Sequence, residues 1–345
     1  MGITELETSD KITWTDFLYK IQFHDIYYTP EYLRICELNN EGKGKCIIFQ
    51  EEEKVVVYPF LLNQLDNSYS DIQSAYGYGG LLTNSHCQDF INSFIDAFNF
   101  WCESNHVIAE FVRFHPILNN AEILKDKMDV EFNRETVYLE LDLDLDRIWL
   151  NFSSKCRNSI RKAINNGFSV ERMRPTNENI LSFYSLYTET MKVLNAHQYY
   201  FFSASYFRNL FFSLKGKIKL YGIYEKDELI SAAIFLYSGK IVNYHLSARK
   251  ASRNLAGLTN LILYTAIMEA KKDDYAIFHL GGGNRNNDGL HKFKLSFSKL
   301  TGRFFIGKKV HNENKYNDEI IKWEQKNENV KNSFGNYFLK YRIDC

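Results

Sequence analysis

The chain has 345 residues, 45% of them hydrophobic, with 27 Phe and 23 Tyr but four Pro; this supplies enough apolar side chain for one large or two ordinary cores and excludes a disordered polymer. Its 42 basic and 42 acidic side chains cancel, which excludes a global electrostatic grip on nucleic acid and predicts no DNA partner. No apolar run reaches the ~20 residues of a membrane span, and the opening MGITELETSDKITW lacks a leader pattern and a myristoylation signal, so a cytoplasmic protein with at most peripheral membrane contact is expected.

In chain order, helices are predicted near Trp14 to Lys20 and Pro30 to Glu37, then strands at Lys45 to Gln50 and Lys54 to Leu62. A long helix from His86 to Ser104 leads into a strand at Val107 to Phe114, and Thr136 to Leu141 forms another. Beyond Leu143, Trp149, Phe152, Cys156, Ile160 and Ala163 recur every three or four residues, the stripe of an amphipathic helix that stops at Asn165-Asn166-Gly167. A strand (Phe168 to Met173) and helices from Asn177 to Val193 and from Ser203 or Ser205 to Leu214 follow. Three strands (Lys217 to Tyr224, Glu228 to Tyr237, Lys240 to Ser247) form a meander. A helix at Gly257 to Lys271, a buried strand at Ala276 to Leu280, a helix at Asp288 to Phe297, a strand at Arg303 to Val310 and a polar, helical tail complete the chain. The fold class is α/β with mixed sheets, and the first half repeats the helix-helix, strands, helix, strand order of the second without a readable sequence repeat. Domains are expected at 1–145, 146–311 and a tail at 312–345.

Six cysteines, at 36, 46, 87, 102, 156 and 345, show no CxxC spacing and predict reduced thiols. The nine His have no metal-ligand spacing, and Asp142, Asp144 and Asp146 lack the glycine and terminal Glu of a calcium loop, so no metal is expected. Gly281 to Gly283 lacks the Lys-Ser/Thr of a nucleotide-hydrolysing loop.

Five strings occur in order: YGYGG at 76 to 80, FVRFHP at 111 to 116, KCRNSIRKAINNG at 155 to 167, LGGG at 280 to 283 and DGLHKFKLSF at 288 to 297. Together they resemble the FemAB family of cell-wall aminoacyltransferases, over roughly residues 55 to 310. The resemblance implies two GNAT-like domains in tandem, the N-terminal one degenerate. It also implies transfer of an aminoacyl group from aminoacyl-tRNA to an amine on a peptidoglycan precursor, with no tightly bound cofactor. Relatives described as N-acyltransferases leave an acyl-CoA donor and an amino-sugar or amino-acid acceptor as the alternative, and an inactive binding module as a third. Three departures stand out, and the first two leave the acceptor open. There is no room for a helical arm between Thr190 and Ser203; YYFFSASYF at 199 to 207 has no Arg before Arg208; and Leu81 follows the first glycine string where the family more often has Pro.

Lys294, between Phe293 and Leu295, matches the family's FK motif, which implies a cation at a reacting carbonyl or phosphate; Phe293 is its substrate-side neighbour. Lys155, Arg157, Arg161 and Lys162 put four cations and no acid within eight residues of one helix. They suit the phosphate of a tRNA or of a cell-envelope precursor, and equally a solvated face. Tyr76 and Tyr78 sit in a glycine loop that suits close backbone approach to a ligand or a tight turn. Arg113 and His115 alternate on one strand, and Tyr244 lies on the third meander strand, where GNAT-type folds place substrates. Arg253 and Gly257 echo, weakly, an acyl-CoA pyrophosphate loop ahead of a helix.

Overall fold

A computed structural model describes residues 2–66, 68–251, 257–283, 285, 288–335 and 337–343. In chain order the elements are β1 (Ile3–Glu7), α1 (Lys11–Tyr19), α2 (Pro30–Leu38), β2 (Lys43–Glu51), β3 (Lys54–Gln64), β4 (Ser70–Gln73), β5 (Leu82–Thr83), α3 (Gln88–Ser104), β6 (Val107–Arg113), α4 (Ala121–Leu124) and β7 (Asp129–Glu140). There follow α5 (Leu145–Asn151), α6 (Ser154–Asn165), β8 (Glu171–Met173), α7 (Asn177–Val193), α8 (Ala204–Ser213), β9 (Ile218–Glu225), β10 (Glu228–Ser238), β11 (Ile241–Arg249), α9 (Leu258–Lys272), β12 (Ile277–Gly282), α10 (Gly289–Leu295), β13 (Leu300–Val310) and α11 (Glu313–Lys326).

Two compact units divide the chain. One holds Met1–Gln22, Tyr27–Asn133 and Phe304–Cys345; the other holds Phe23–Ile26 and Arg134–Arg303. The divisions fall inside β7 and β13, and α11 clusters with the first unit. A continuous strand carries no turn or composition shift at such a point, so a linear reading has nothing there to detect.

In the first unit the strand order is β1-β2-β3-β4-β6-β13. The pairs are antiparallel except β4–β6, which is parallel. The core under the sheet is aromatic: Phe49, Tyr58, Phe60, Phe90, Phe94, Phe98 and Phe114 are buried, mostly against α3, whose apolar positions recur at helical spacing. In the second unit the order is β8-β9-β10-β11-β12-β7, again with a single parallel pair, β11–β12. Its core packs α6 and α9 on the sheet through Ile160, Ala163, Ile262, Ala266, Phe235 and Phe278. From β8 the second unit reads strand, helix, helix, three strands, helix, strand, helix, strand, and the segment from β1 to β7 follows that order with the short β5 added before α3; the helix-helix, strands, helix, strand part of it was expected from the sequence. Each sheet is finished by the other segment's last strand: β13 pairs β6, and β7 pairs β12.

Three local differences from expectation have clear causes. The stripe from Trp149 to Ala163 is broken into α5 and α6, because Ser153 leaves the helix and accepts the Cys156 N–H at 3.1 Å as an N-cap. Phe152 at the break is still buried, so the periodicity survives the interruption. The strands β1 and β4 escape a pattern reading because ITELE and SDIQ are polar; β1 buries one residue of five, while β4 buries Ser70, Asp71 and Ile72.

Candidate active site

In the second unit, β11 and β12 run side by side from Ile241 opposite Ile277 to Asn243 opposite His279, where their ladder ends. Past that rung β12 pairs β7, through Gly281 with Val137 and Gly282 with Thr136, while β11 pairs β10. The strands therefore fork, and the backbone of β11 from Tyr244 onward lies outside the β12 ladder. A register shift in the β10–β11 ladder at the same level sets Ile234 opposite Leu246 and Phe235 opposite Tyr244, so His245 is an extra, bulged residue.

Lys294 reaches into this region from α10. Asp288 caps that helix, accepting the His291 N–H at 2.7 Å and the Arg285 N–H at 3.0 Å. The Lys294 side chain is 7% exposed. Its Nζ donates to the Gly282 carbonyl oxygen at 2.7 Å and lies 5.6 Å from the centre of the Tyr244 ring. Burial pulls its pKa down to about 7; nearby Arg134 pulls the same way and Asp288 opposes. The fixed cation expected from the sequence is thus an amine poised between its charged and neutral forms.

Glycine makes this packing feasible. A Cβ on Gly281, which has φ +72°, would stand 3.3 Å from Lys294 Nζ, and one on Gly283 would collide with Asp288 Oδ1. Tyr244 stacks on Phe235 at 5.6 Å and donates a short hydrogen bond to Ser247 Oγ; burial raises its pKa to about 12, so it stays protonated. Phe293 faces the core, edge-on to Phe297 at 5.5 Å. The bulged His245 shares a 3.0 Å hydrogen bond with Tyr206 Oη, and burial drops its pKa to about 3, which keeps it neutral.

Residues 154–294 match the family model for the acetyltransferase (GNAT) domain. The matched stretch lies wholly within the second unit and runs from α6 into α10. Among solved structures, the chain is similar to FemX, with 14% identity, a TM-score of 0.72, and coverage of 92% of this chain and 99% of that one. It is also similar to the C-terminal domain of a putative lysylphosphatidylglycerol synthetase from Agrobacterium fabrum (12% identity, TM-score 0.56, 89% and 94% covered). A third is a tandem GNAT protein from the clavulanic acid biosynthesis pathway (10% identity, TM-score 0.51, 90% and 98% covered). At these identities the likeness is one of fold. No curated protein sequence matches.

Within the GNAT domain the basic helix α6 divides by role. Arg157 donates to the carbonyls of Leu150, at 3.0 Å, and Phe152, so it ties the α5–α6 break together. Arg161 lies over the Trp149 ring at 5.4 Å, while Lys155 and Lys162 are exposed. Gly257 starts α9 with φ +96°; a Cβ there would collide with the Ser159 carbonyl oxygen of α6, so this glycine serves close helix packing. Arg253 lies outside the described residues.

Tyr76, Tyr78, Arg113 and His115 belong to the first unit. Tyr78 packs edge-on between Tyr27 (5.5 Å), His115 (5.2 Å) and Phe304 (5.4 Å), and the Tyr76 carbonyl accepts from Tyr32 Oη at 2.7 Å. Arg113 donates to the Ser74 carbonyl at 3.2 Å and covers Phe111; buried His115 accepts the Ile117 and Leu118 N–H groups at Nδ1. Ser74 N–H donates to the Phe111 carbonyl and Gly79 N–H to the Arg113 carbonyl, and Gly79 bridges Phe114. Where the second unit forks past its parallel pair, the first unit continues past its own with backbone bonds from Ser74 and Gly79 to the 111–114 strand end.

Among the described residues no group of His, Cys, Asp and Glu is placed to hold a metal ion, and Asp144 is an N-cap, accepting the Arg147 N–H at 2.8 Å. No described helix is long and apolar enough to cross a membrane. The site residues missed from sequence are Arg134 and Asp288, which set the charge around Lys294, and the bulged His245. The capping position of Asp288 was legible; a β-bulge leaves no mark in a single sequence.

Proposed function

We propose that this chain transfers an acyl or aminoacyl group from an activated donor to an amine, with Lys294 at the reacting centre. The observation that carries this reading is the buried Lys294 amine, held on the Gly282 carbonyl beside Tyr244 where β11 and β12 part. In such a transfer the acceptor nitrogen attacks the donor carbonyl carbon. The ester or thioester bond to the carrier breaks, the carrier leaves with the electron pair, and the nitrogen sheds one proton. An amine with proton affinity near neutrality is matched to accept that proton, and the Lys294 cation formed can then steady charge on the departing carrier.

For the donor we favour aminoacyl-tRNA, and for the acceptor an amine on a phosphate-bearing cell-wall or surface-polysaccharide precursor, in the cytoplasm. Exposed Lys155, Arg161 and Lys162 on α6 support a phosphate partner, because α6 adjoins the start of α9 through Ser159 and Gly257. The acetyltransferase domain match favours a second reading, with acyl-CoA as donor and an amino sugar or amino acid as acceptor. Titrating the protein separately with charged tRNA and acetyl-CoA, in competition with uncharged tRNA and free CoA, separates the two. Salt-sensitive binding of charged tRNA alone supports the first; saturable acetyl-CoA binding without a tRNA response replaces it with the second.

A further inference from the structure

Directly at the fork lies a buried polar chain that the transfer chemistry does not use. Asp25 is 0% exposed, and Asn243 and His279 are each 1% exposed. Asn243 Nδ2 donates to both Asp25 carboxylate oxygens, at 2.7 and 2.9 Å, and the Ile26 N–H donates to Asp25 Oδ1 at 2.5 Å. Asn243 Oδ1 and His279 Nδ1 lie 3.1 Å apart. The polarity of every link follows from chemistry. Both Asp25 oxygens accept from Asn243 Nδ2, so the amide turns its NH₂ toward Asp25. Its oxygen then faces His279, which must carry its proton on Nδ1.

Asn243 and His279 are also the last paired residues of the parallel ladder. Asn243 is followed by Tyr244, and His279 stands three residues before Gly282, whose carbonyl holds Lys294. A hydrogen bond across the final rung resists further parting of the strands, and Asp25 fixes the amide that makes it. We infer that Asp25, Asn243 and His279 are positioning residues: their hydrogen-bond chain sets where β11 and β12 separate, and through that the seat of Lys294 and Tyr244. The inference rests on the reading of the fork as the reacting centre, but its test does not require the donor to be known.

The whole chain is compared as wild type, His279→Leu, Asn243→Leu and His279→Asn. Asparagine places its amide N–H where the histidine Nδ1–H stood and so keeps the bond. Two quantities are read by mass spectrometry: amide hydrogen exchange in segments 241–249 and 277–283, and acetylation of Lys294 by acetic anhydride relative to exposed Lys155. Removing one buried hydrogen bond should raise both by roughly tenfold in the two leucine variants, and His279→Asn should restore wild-type values. Where a leucine variant fails to fold, His279→Gln replaces it, since its donor lies one bond too far along. Wild-type exchange and labelling in variants lacking the bond overturn the inference, as does a His279→Asn variant disturbed as much as His279→Leu. If wild type transfers no acyl group from either donor, the proposed function fails, while exchange and labelling still decide this inference.

Discussion

Lys294 Nζ sits 2.7 Å from the carbonyl oxygen of Gly282, and Gly281, beside it, has no side chain to dispute the place. The amine is held by a neutral acceptor, and the pull of Asp288 on its proton is outweighed by burial and Arg134. Replacing Lys294 with Met should therefore lower acyl transfer by ~10²–10⁴-fold in single-turnover kinetics, the span of one general base. The same variant should be more stable to urea at pH 7, because an apolar chain carries none of the desolvation that opposes the buried lysine charge.

The direction of the Lys294 shift fixes a pH dependence. In the unfolded chain a lysine keeps its proton to about 10.5, in the folded chain to about 7. Between those values the unfolded state binds the extra proton, so stability rises with pH across that window, by up to about 1.4 kcal/mol per unit. Below pH 7 both states are protonated and the dependence vanishes. Urea unfolding at pH 7, 8 and 9 should show this rise in wild type and lose it in Lys294→Met. The transfer rate should climb as pH passes 7, as the neutral amine becomes the majority form.

The four cations of α6 should separate by assay. Arg157→Ala removes the ties to the Leu150 and Phe152 carbonyls and should lower the melting temperature with little effect on the salt dependence of tRNA binding. Replacing Lys155, Arg161 and Lys162 together should leave stability nearly unchanged and weaken charged-tRNA binding. Its salt dependence should flatten by roughly one unit of slope for each phosphate no longer neutralised. If the triple variant binds as wild type does, the face is merely solvated.

At the other end of the chain, Arg342 forms a two-point ion pair with Asp71 of β4, at 2.5 and 2.7 Å, and Asp71 is completely buried. Burial raises the Asp71 pKa despite this partner. Arg342→Ala should cost about 3–5 kcal/mol in urea unfolding, since it strands a carboxylate in the core. Adding Asp71→Asn should recover part of the loss, which distinguishes a stranded charge from lost packing.

Much of the fold was legible because helical and strand periodicities are local. The bounds of α7, Asn177 and Val193, stand where the pattern puts them, since Thr176 is a capping residue at a sharp change of pattern. The meander β9–β11 was equally clear, its turns carrying polar residues. Lys294 and Tyr244, both singled out in the sequence, lie 5.6 Å apart although fifty residues separate them. Tyr78, Arg113 and His115 draw attention by residue type, and in the structure they meet Tyr27, Phe111, the Ser74 carbonyl and the N–H groups of Ile117 and Leu118. Nothing local distinguishes a tyrosine that packs from one that meets a ligand. The Asp25 link spans 218 residues and lies beyond any periodicity.

The exchange of closing strands has a consequence for biosynthesis. A ribosome makes β6 early, yet its partner β13 follows only after the whole of 134–303 has been translated. Throughout that interval the edge of β6 stands without its partner, the kind of exposed edge that recruits foreign strands. The GNAT domain, nearly contiguous in sequence, has its own strands in hand before the first unit does. Order of synthesis and order of completion thus run in opposite directions, and a nascent chain stalled near residue 300 is the species most in need of a chaperone.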